Sequence, residues 1–145
     1  DEFTNEGMFT RVKGKPNIAI VAFTADGDVF GGYYNVAVTE QWEYFMDPNM
    51  FVFAFETHGR CATPQRFLVK VNMKKKPYVF FFAQARRPFV GFGGFYGAFT
   101  LGNEKSMTMC GNLSFDFEGM EDDTFTGKPN GERFTCTRLV AVHLQ

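Results

Sequence analysis

Apolar side chains recur at every second position through much of this chain, most plainly in Phe51-Val52-Phe53-Ala54-Phe55. Alternation at that period sends successive side chains to opposite faces of a strand, and phenylalanine is a large, stiff group that suits a pleated surface. Asn17 to Phe23 reads as a first strand. Asp26-Gly27-Asp28 reads as a tight turn, and Val29 to Tyr34 completes a hairpin. The adjacent Gly31 and Gly32 predict a bulge, or a place where another backbone comes close. From Thr39 to Met46 the spacing changes: Trp42, Phe45 and Met46 stand three and four apart in a window that predicts one or two helical turns, ended by Asp47-Pro48-Asn49.

Strand character returns at Met50 to Glu56, Arg66 to Met73 and Pro77 to Ala83. Within the last of these, Tyr78-Val79-Phe80-Phe81-Phe82 is apolar on both faces, as a central strand would be. A glycine-rich turn, Val90 to Gly97, leads into a strand from Ala98 to Leu101. Glu118 to Asp123 and Gly127 to Gly131 read as surface loops. The closing run from Phe134 to Leu144 alternates, with Phe134, Cys136, Arg138, Val140 and Val142 on one side and Thr135, Thr137, Leu139, Ala141 and His143 on the other. Short strands separated by turn signals predict a mainly β domain, α+β at most: a two-sheet antiparallel β-sandwich with short flanking helices.

At 145 residues the chain is one domain, large enough to fold without a metal or disulfide. Its twenty phenylalanines supply an aromatic core. Fifteen basic against sixteen acidic residues leave a net charge of −1, so no general field draws in nucleic acid. Cys61, Cys110 and Cys136 are odd in number and lack the close spacing of a zinc site or redox pair, which predicts reduced thiols. No apolar run reaches the roughly 20 residues that span a bilayer, and no leader is visible. A soluble, cytoplasmic protein is expected, without a transmembrane segment. The start at Asp1, without a methionine, suggests that a segment precedes it.

The order of the motifs resembles that of the TLDc domain family over almost the whole chain. The resemblance is carried by Phe30-Gly31 after the first hairpin turn, by Phe51-Val52-Phe53, and by Gly91-Phe92-Gly93-Gly94 ahead of a strand. The third piece is shorter than in the family, and His143 stands where an acidic residue is common. The resemblance implies a single TLDc-like domain over residues 1–145 that lacks its first strand, or part of it. It implies a non-enzymatic protein-interaction or regulatory role, linked to oxidative-stress resistance and to binding of the vacuolar proton-pumping ATPase (V-ATPase), in the cytoplasm or peripherally at organelle membranes. A missing strand would leave an unpaired sheet edge.

Candidate chemistry is sparse. His58 in His58-Gly59-Arg60-Cys61 would activate a thiol if the two were held together; an exposed turn histidine beside an ordinary cysteine is the simpler reading. Glu118, Glu121, Asp122 and Asp123 gather carboxylates that a hard cation favours, without the regular ligand spacing of a calcium loop. Gly91 to Gly97 lacks the lysine and the following helix of a phosphate loop. No catalytic residue, cofactor or metal is therefore assigned. Lys74, Lys75, Lys76, Arg86 and Arg87 form the basic clusters; they read as solvated hairpin ends, with a phosphoinositide contact as the sharper alternative and no nucleic acid expected.

Function is accordingly expected in loops, where contact surfaces concentrate on rigid scaffolds. The candidates are the turn with His58, Gly59 and Arg60, and the turn with Phe92, Gly93, Gly94 and Phe95. A rival reading is a small-ligand or carbohydrate-binding β-sandwich, which requires Trp42 and several tyrosines exposed together, whereas the TLDc reading expects Trp42 inside. A weaker rival is a thiol-based antioxidant enzyme, which needs an exposed cysteine of lowered pKa.

Overall fold

The structure, a computed structural model, describes residues 4–70, 78–83, 88–93, 99–101, 109–111 and 113–145. Among them the chain is mainly β. Helix α1 (Asn5–Val12) precedes β1 (Ile18–Thr24), β2 (Val29–Tyr34), β3 (Phe45–Met46), β4 (Phe51–Glu56) and β5 (Gln65–Leu68). Then come β6 (Tyr78–Phe81), β7 (Val90–Gly93), β8 (Phe99–Leu101), β9 (Met109–Cys110), the single-turn α2 (Leu113–Asp116) and β10 (Cys136–His143). The strands form two antiparallel sheets, ordered β10-β1-β2-β4-β5 and β3-β6-β7-β8-β9. No described helix is long and apolar enough to cross a membrane.

The first hairpin forms as its residues dictate. Ile18, Ile20, Ala22 and Thr24 face inward and are buried, while Ala19, Val21 and Phe23 face outward. Gly27 takes φ 88° in the turn, a conformation that costs glycine little, and its amide donates to the Thr24 carbonyl at 3.0 Å. The Thr24 hydroxyl accepts from the Asp28 amide at 3.0 Å.

The two glycines of β2 serve different neighbours. A Cβ on Gly31 would stand 1.9 Å from the Ile20 carbonyl oxygen of β1, and one on Gly32 would stand 2.7 Å from the Phe92 ring of β7. Gly31 thus admits an adjacent backbone, and Gly32 admits a side chain from the opposite sheet. Around that contact Tyr34 meets Phe81 and Phe92 at centroid distances of 6.0 and 6.4 Å. Phe30 stacks on Phe125 at 4.5 Å and meets Phe134 edge-on at 5.5 Å. Each fully buried phenylalanine contributes about 1.5–3 kcal/mol of transfer free energy. One continuous core joins both sheets and α1.

α1 is tied to the second sheet by more than apolar contact. Thr4 caps it by accepting the Gly7 amide at 3.0 Å. The Asn5 side chain donates to the carbonyls of Phe82 and Pro88, at 3.1 and 2.9 Å, next to the facing ends of β6 and β7.

Several expectations need correction. Residues 39–46 hold no helix: Trp42 adopts φ 61°, its amide donates to the Phe81 carbonyl, and Phe45–Met46 pair with β6. The three-and-four spacing there reflects a chain running along a sheet edge. The first half of the expected glycine-rich turn is strand β7, buried throughout, because Gly91 and Gly93 pair with Phe80 and Tyr78 of β6. The expected strand from Arg66 ends at Leu68, followed by a bridge from Val69 to Phe117; residues 71–73 lie outside the described residues. In β10 the strict alternation is broken by a bulge, since Thr24 pairs with Cys136 but Phe23 with Arg138. Thr137 is the extra residue, and Leu139 rather than Arg138 follows Cys136 into the core.

Substituting the two glycines separates their roles. Gly31→Ala, opposed by backbone that cannot move aside, is expected to cost about 3 kcal/mol or more, and Gly32→Ala, opposed by a ring, about 1–3 kcal/mol. Urea unfolding midpoints check the order; equal midpoints contradict it.

Candidate functional site

β4 ends at Glu56, and the chain then reverses through two left-handed residues, His58 at φ 55° and Gly59 at φ 83°. Glu56 accepts the His58 amide at 2.8 Å. The buried Thr57 carbonyl accepts the Arg60 amide at 3.2 Å, and its hydroxyl accepts the Cys61 amide at 3.3 Å. This turn aims His58 and Arg60 at one target, the carboxylate of Asp28, which is 2 % exposed.

The same oxygen, Asp28 Oδ1, lies 2.7 Å from His58 Nδ1 and 2.6 Å from Arg60 Nη2. Arg60 also donates through Nη2 to the Phe125 carbonyl at 2.8 Å and through Nε to the Thr124 carbonyl at 3.0 Å. Gly127 passes so close that a Cβ there would be 3.0 Å from the guanidinium. A carboxylate removed from water needs paired charge and hydrogen bonds, and Arg60 meets that need while also satisfying two loop carbonyls. Three segments are clasped together: the β1–β2 turn, the turn after β4, and residues 124–127.

Of the expected interaction residues, His58, Gly59 and Arg60 therefore stand at a built cluster with Asp28, whose part in it was not anticipated. Phe92 does not belong to an exposed loop: it is fully buried in β7 against Gly32 and Tyr34. Gly93 is the last residue of β7, while Gly94 and Phe95 lie outside the described residues. So do the basic candidates Lys74, Lys75, Lys76, Arg86 and Arg87.

The cluster's hydrogen bonds tie its three segments together. His58 is hydrogen-bonded to no hydroxyl or thiol among the described residues; its neighbour in sequence, Cys61, contacts Thr57 Oγ1 at 3.3 Å. Burial, reinforced by the negative charge of Asp28, pushes the Cys110 thiol up. Burial also raises Cys136, against the lowering effect of hydrogen bonds to the Arg138 and Phe23 backbone. All three cysteines are free. In the acidic loop, Asp122 accepts the Ser114 amide and hydroxyl at 3.0 and 2.9 Å, and the described residues hold no group of three potential metal ligands.

On the second sheet Trp42 is 47 % exposed, contrary to a packed indole. It lies edge-on to Phe80 and Phe82 at 5.5 and 5.7 Å. Tyr44, half-buried, contacts Tyr78 at 4.8 Å and Phe80 at 4.5 Å. No protein-family model matches the chain, and neither does any curated protein sequence.

The raised groups give stability a signed pH dependence. Cys110, Cys136 and Tyr34, the last raised by burial, stay protonated in the native state where the unfolded chain loses protons, above about pH 9 for thiols and pH 10 for tyrosine. Their contribution is intact below those values and is lost as pH rises past them, by up to about 1.4 kcal/mol per pH unit for each buried group. Thermal unfolding with reductant at about pH 7 and pH 10.5 is expected to show the fall, lessened in Cys110→Ala.

Proposed function

We propose that this chain is a TLDc-type domain that acts by presenting a surface to a protein partner, the vacuolar proton-pumping ATPase, in support of resistance to oxidative stress. The observation that carries the non-enzymatic part is the clasp: His58 and Arg60 share one oxygen of Asp28 at 2.7 and 2.6 Å, which spends them on fixing a loop. Half of the His58 side chain remains exposed on a turn whose backbone is held from three sides. The family part is supported by the placement of its motifs: Phe30-Gly31 on β2, Phe51-Val52-Phe53 on β4 and Gly91-Phe92-Gly93 on β7, within two antiparallel sheets preceded by a short helix. The cytoplasm, or the cytoplasmic side of an organelle membrane, is the compartment this reading requires. A thiol mechanism would have to rest on Cys61, since the other two thiols are buried and raised.

Immobilised domain is expected to capture pump subunits from lysate, and His58→Ala to reduce the capture several-fold while leaving the thermal midpoint within a few degrees. Failure of capture where a TLDc protein succeeds contradicts the assignment.

Exposure of Trp42 beside Tyr44 and Tyr78 favours a second reading, a carbohydrate-binding surface in which sugar faces lie on aromatic rings. In that case soluble oligosaccharides such as chitohexaose shift the emission of the single tryptophan to shorter wavelength, and Trp42→Ala abolishes binding. Emission that stays unchanged at millimolar sugar rules it out.

A further inference from the structure

Strand alternation gives the first sheet an outward face that is apolar across its middle. Cross-strand pairing sets Ala19, Tyr33 and Phe51 in one row and Val21, Gly31 and Phe53 in the next. Val142 of β10 extends the first row beyond Ala19. The side chains of Ala19 and Val21 are small beside Val142, Tyr33 and Phe53, and the face is a groove of about 460 Å³ with Phe55 and Leu144 also on its walls. Phe55, Val142 and Leu144 are 51, 39 and 45 % exposed, a concentration of wet apolar surface that ordinarily marks a binding site.

The groove's polar groups are few and lie to one side. Tyr33 Oη is already engaged, donating to Asn17 Oδ1 at 2.7 Å. Gln65 and Arg66 of β5 remain. The Arg66 guanidinium lies 5.4 Å from the Phe51 ring centroid and has no carboxylate within ion-pair distance among the described residues. It also borders a second hollow lined by Pro48, Asn49 and Leu68, which leaves room and water for a charged group. No acidic side chain lines either hollow.

We propose that this groove binds a free fatty acid, its hydrocarbon chain lying over Ala19 and Val21 between Phe53 and Val142 and its carboxylate paired with Arg66. The chemistry selects that occupant. The groove floor is mid-sheet backbone whose amides and carbonyls are committed to neighbouring strands, so an extended peptide laid across it would lose its own hydrogen bonds to water without replacement. A second copy of this face would cover Arg66 without offering it a counter-charge. A polymethylene chain asks for no hydrogen bonds, and a carboxylate is the group that a guanidinium fork recognises best.

Calorimetric titration of the whole chain with octanoate, decanoate and dodecanoate, each below its micelle concentration, tests this. One-to-one binding is expected, tightening about fourfold per buried methylene, with dodecylamine and methyl dodecanoate at least tenfold weaker than dodecanoate. Arg66→Gln, at an exposed position that leaves the core untouched, is expected to weaken dodecanoate about tenfold and to leave the methyl ester unchanged. Absence of saturable binding overturns the proposal, as does equal affinity for the amine or indifference to Arg66→Gln. Adsorption to phosphatidylcholine–phosphatidylserine vesicles without binding of monomeric dodecanoate overturns it in favour of a membrane surface, and concentration-dependent dimerisation blocked by Phe55→Asp, again without dodecanoate binding, overturns it in favour of a second copy.

Discussion

The architecture depends on how closely β2 lies to its neighbours at Gly31 and Gly32. Protein interiors are packed to the density of organic crystals, so two sheets rich in large rings fit together only where something is left out. Gly32 leaves out a side chain on the inner face and Phe92 of β7 takes the volume, with Tyr34 alongside. Gly31 leaves one out on the outer face, where the Ile20 carbonyl of β1 passes within van der Waals reach. The same pair of residues therefore permits both the contact between the sheets and the close pairing of β2 with β1.

That relation separates the two kinds of site in the molecule. At the end of the first sheet, polar groups are drawn inward and consumed: Asp28, His58 and Arg60 satisfy one another and the carbonyls of Thr124 and Phe125. Their product is a loop of defined shape. Across the middle of the same sheet, apolar groups face outward with little to satisfy, and the cation beside them, Arg66, rests on a ring. One region is organised by electrostatics and shows a contoured edge; the other is organised by the hydrophobic effect and shows an unfilled concavity.

Much of the strand framework was legible because burial on one face imposes period two. β4 is visible as alternation, β1 and β2 as apolar runs flanking a turn and the Asp26-Gly27 turn as left-handed chemistry, whereas the alternation of β10 is shifted by its bulge. The failures have local causes. Trp42, Phe45 and Met46 mimic a helical face because a segment crossing a sheet edge also brings apolar groups down at irregular intervals. Gly91 and Gly93 suggest a turn because glycine marks turns more often than buried strands, yet here they lie opposite bulky β6 residues. The clasp was only half legible. His58 and Arg60 stood out in a turn, but Asp28 is 30 residues from His58 and 32 from Arg60 and had an adequate explanation in its own hairpin. The outward groove is not legible in the sequence, since alternation reports two faces without saying which neighbours leave one of them uncovered.

The pairing of β1 with β10 has a further consequence for synthesis. Thr137 bonds to Phe23 across 114 positions, and β1 has β2 on one side and β10 on the other. During translation the ribosome delivers β1 and β2 early, but the second flank of β1 stays bare until residues 136–143 have left the exit tunnel. At about 5–20 residues per second that interval lasts roughly 6–24 seconds. Throughout it, a strand of isoleucine, valine and alanine offers unoccupied amides to any nascent neighbour on the same polysome, so an early-binding chaperone has more to protect here than in a fold whose strands pair in the order they are made.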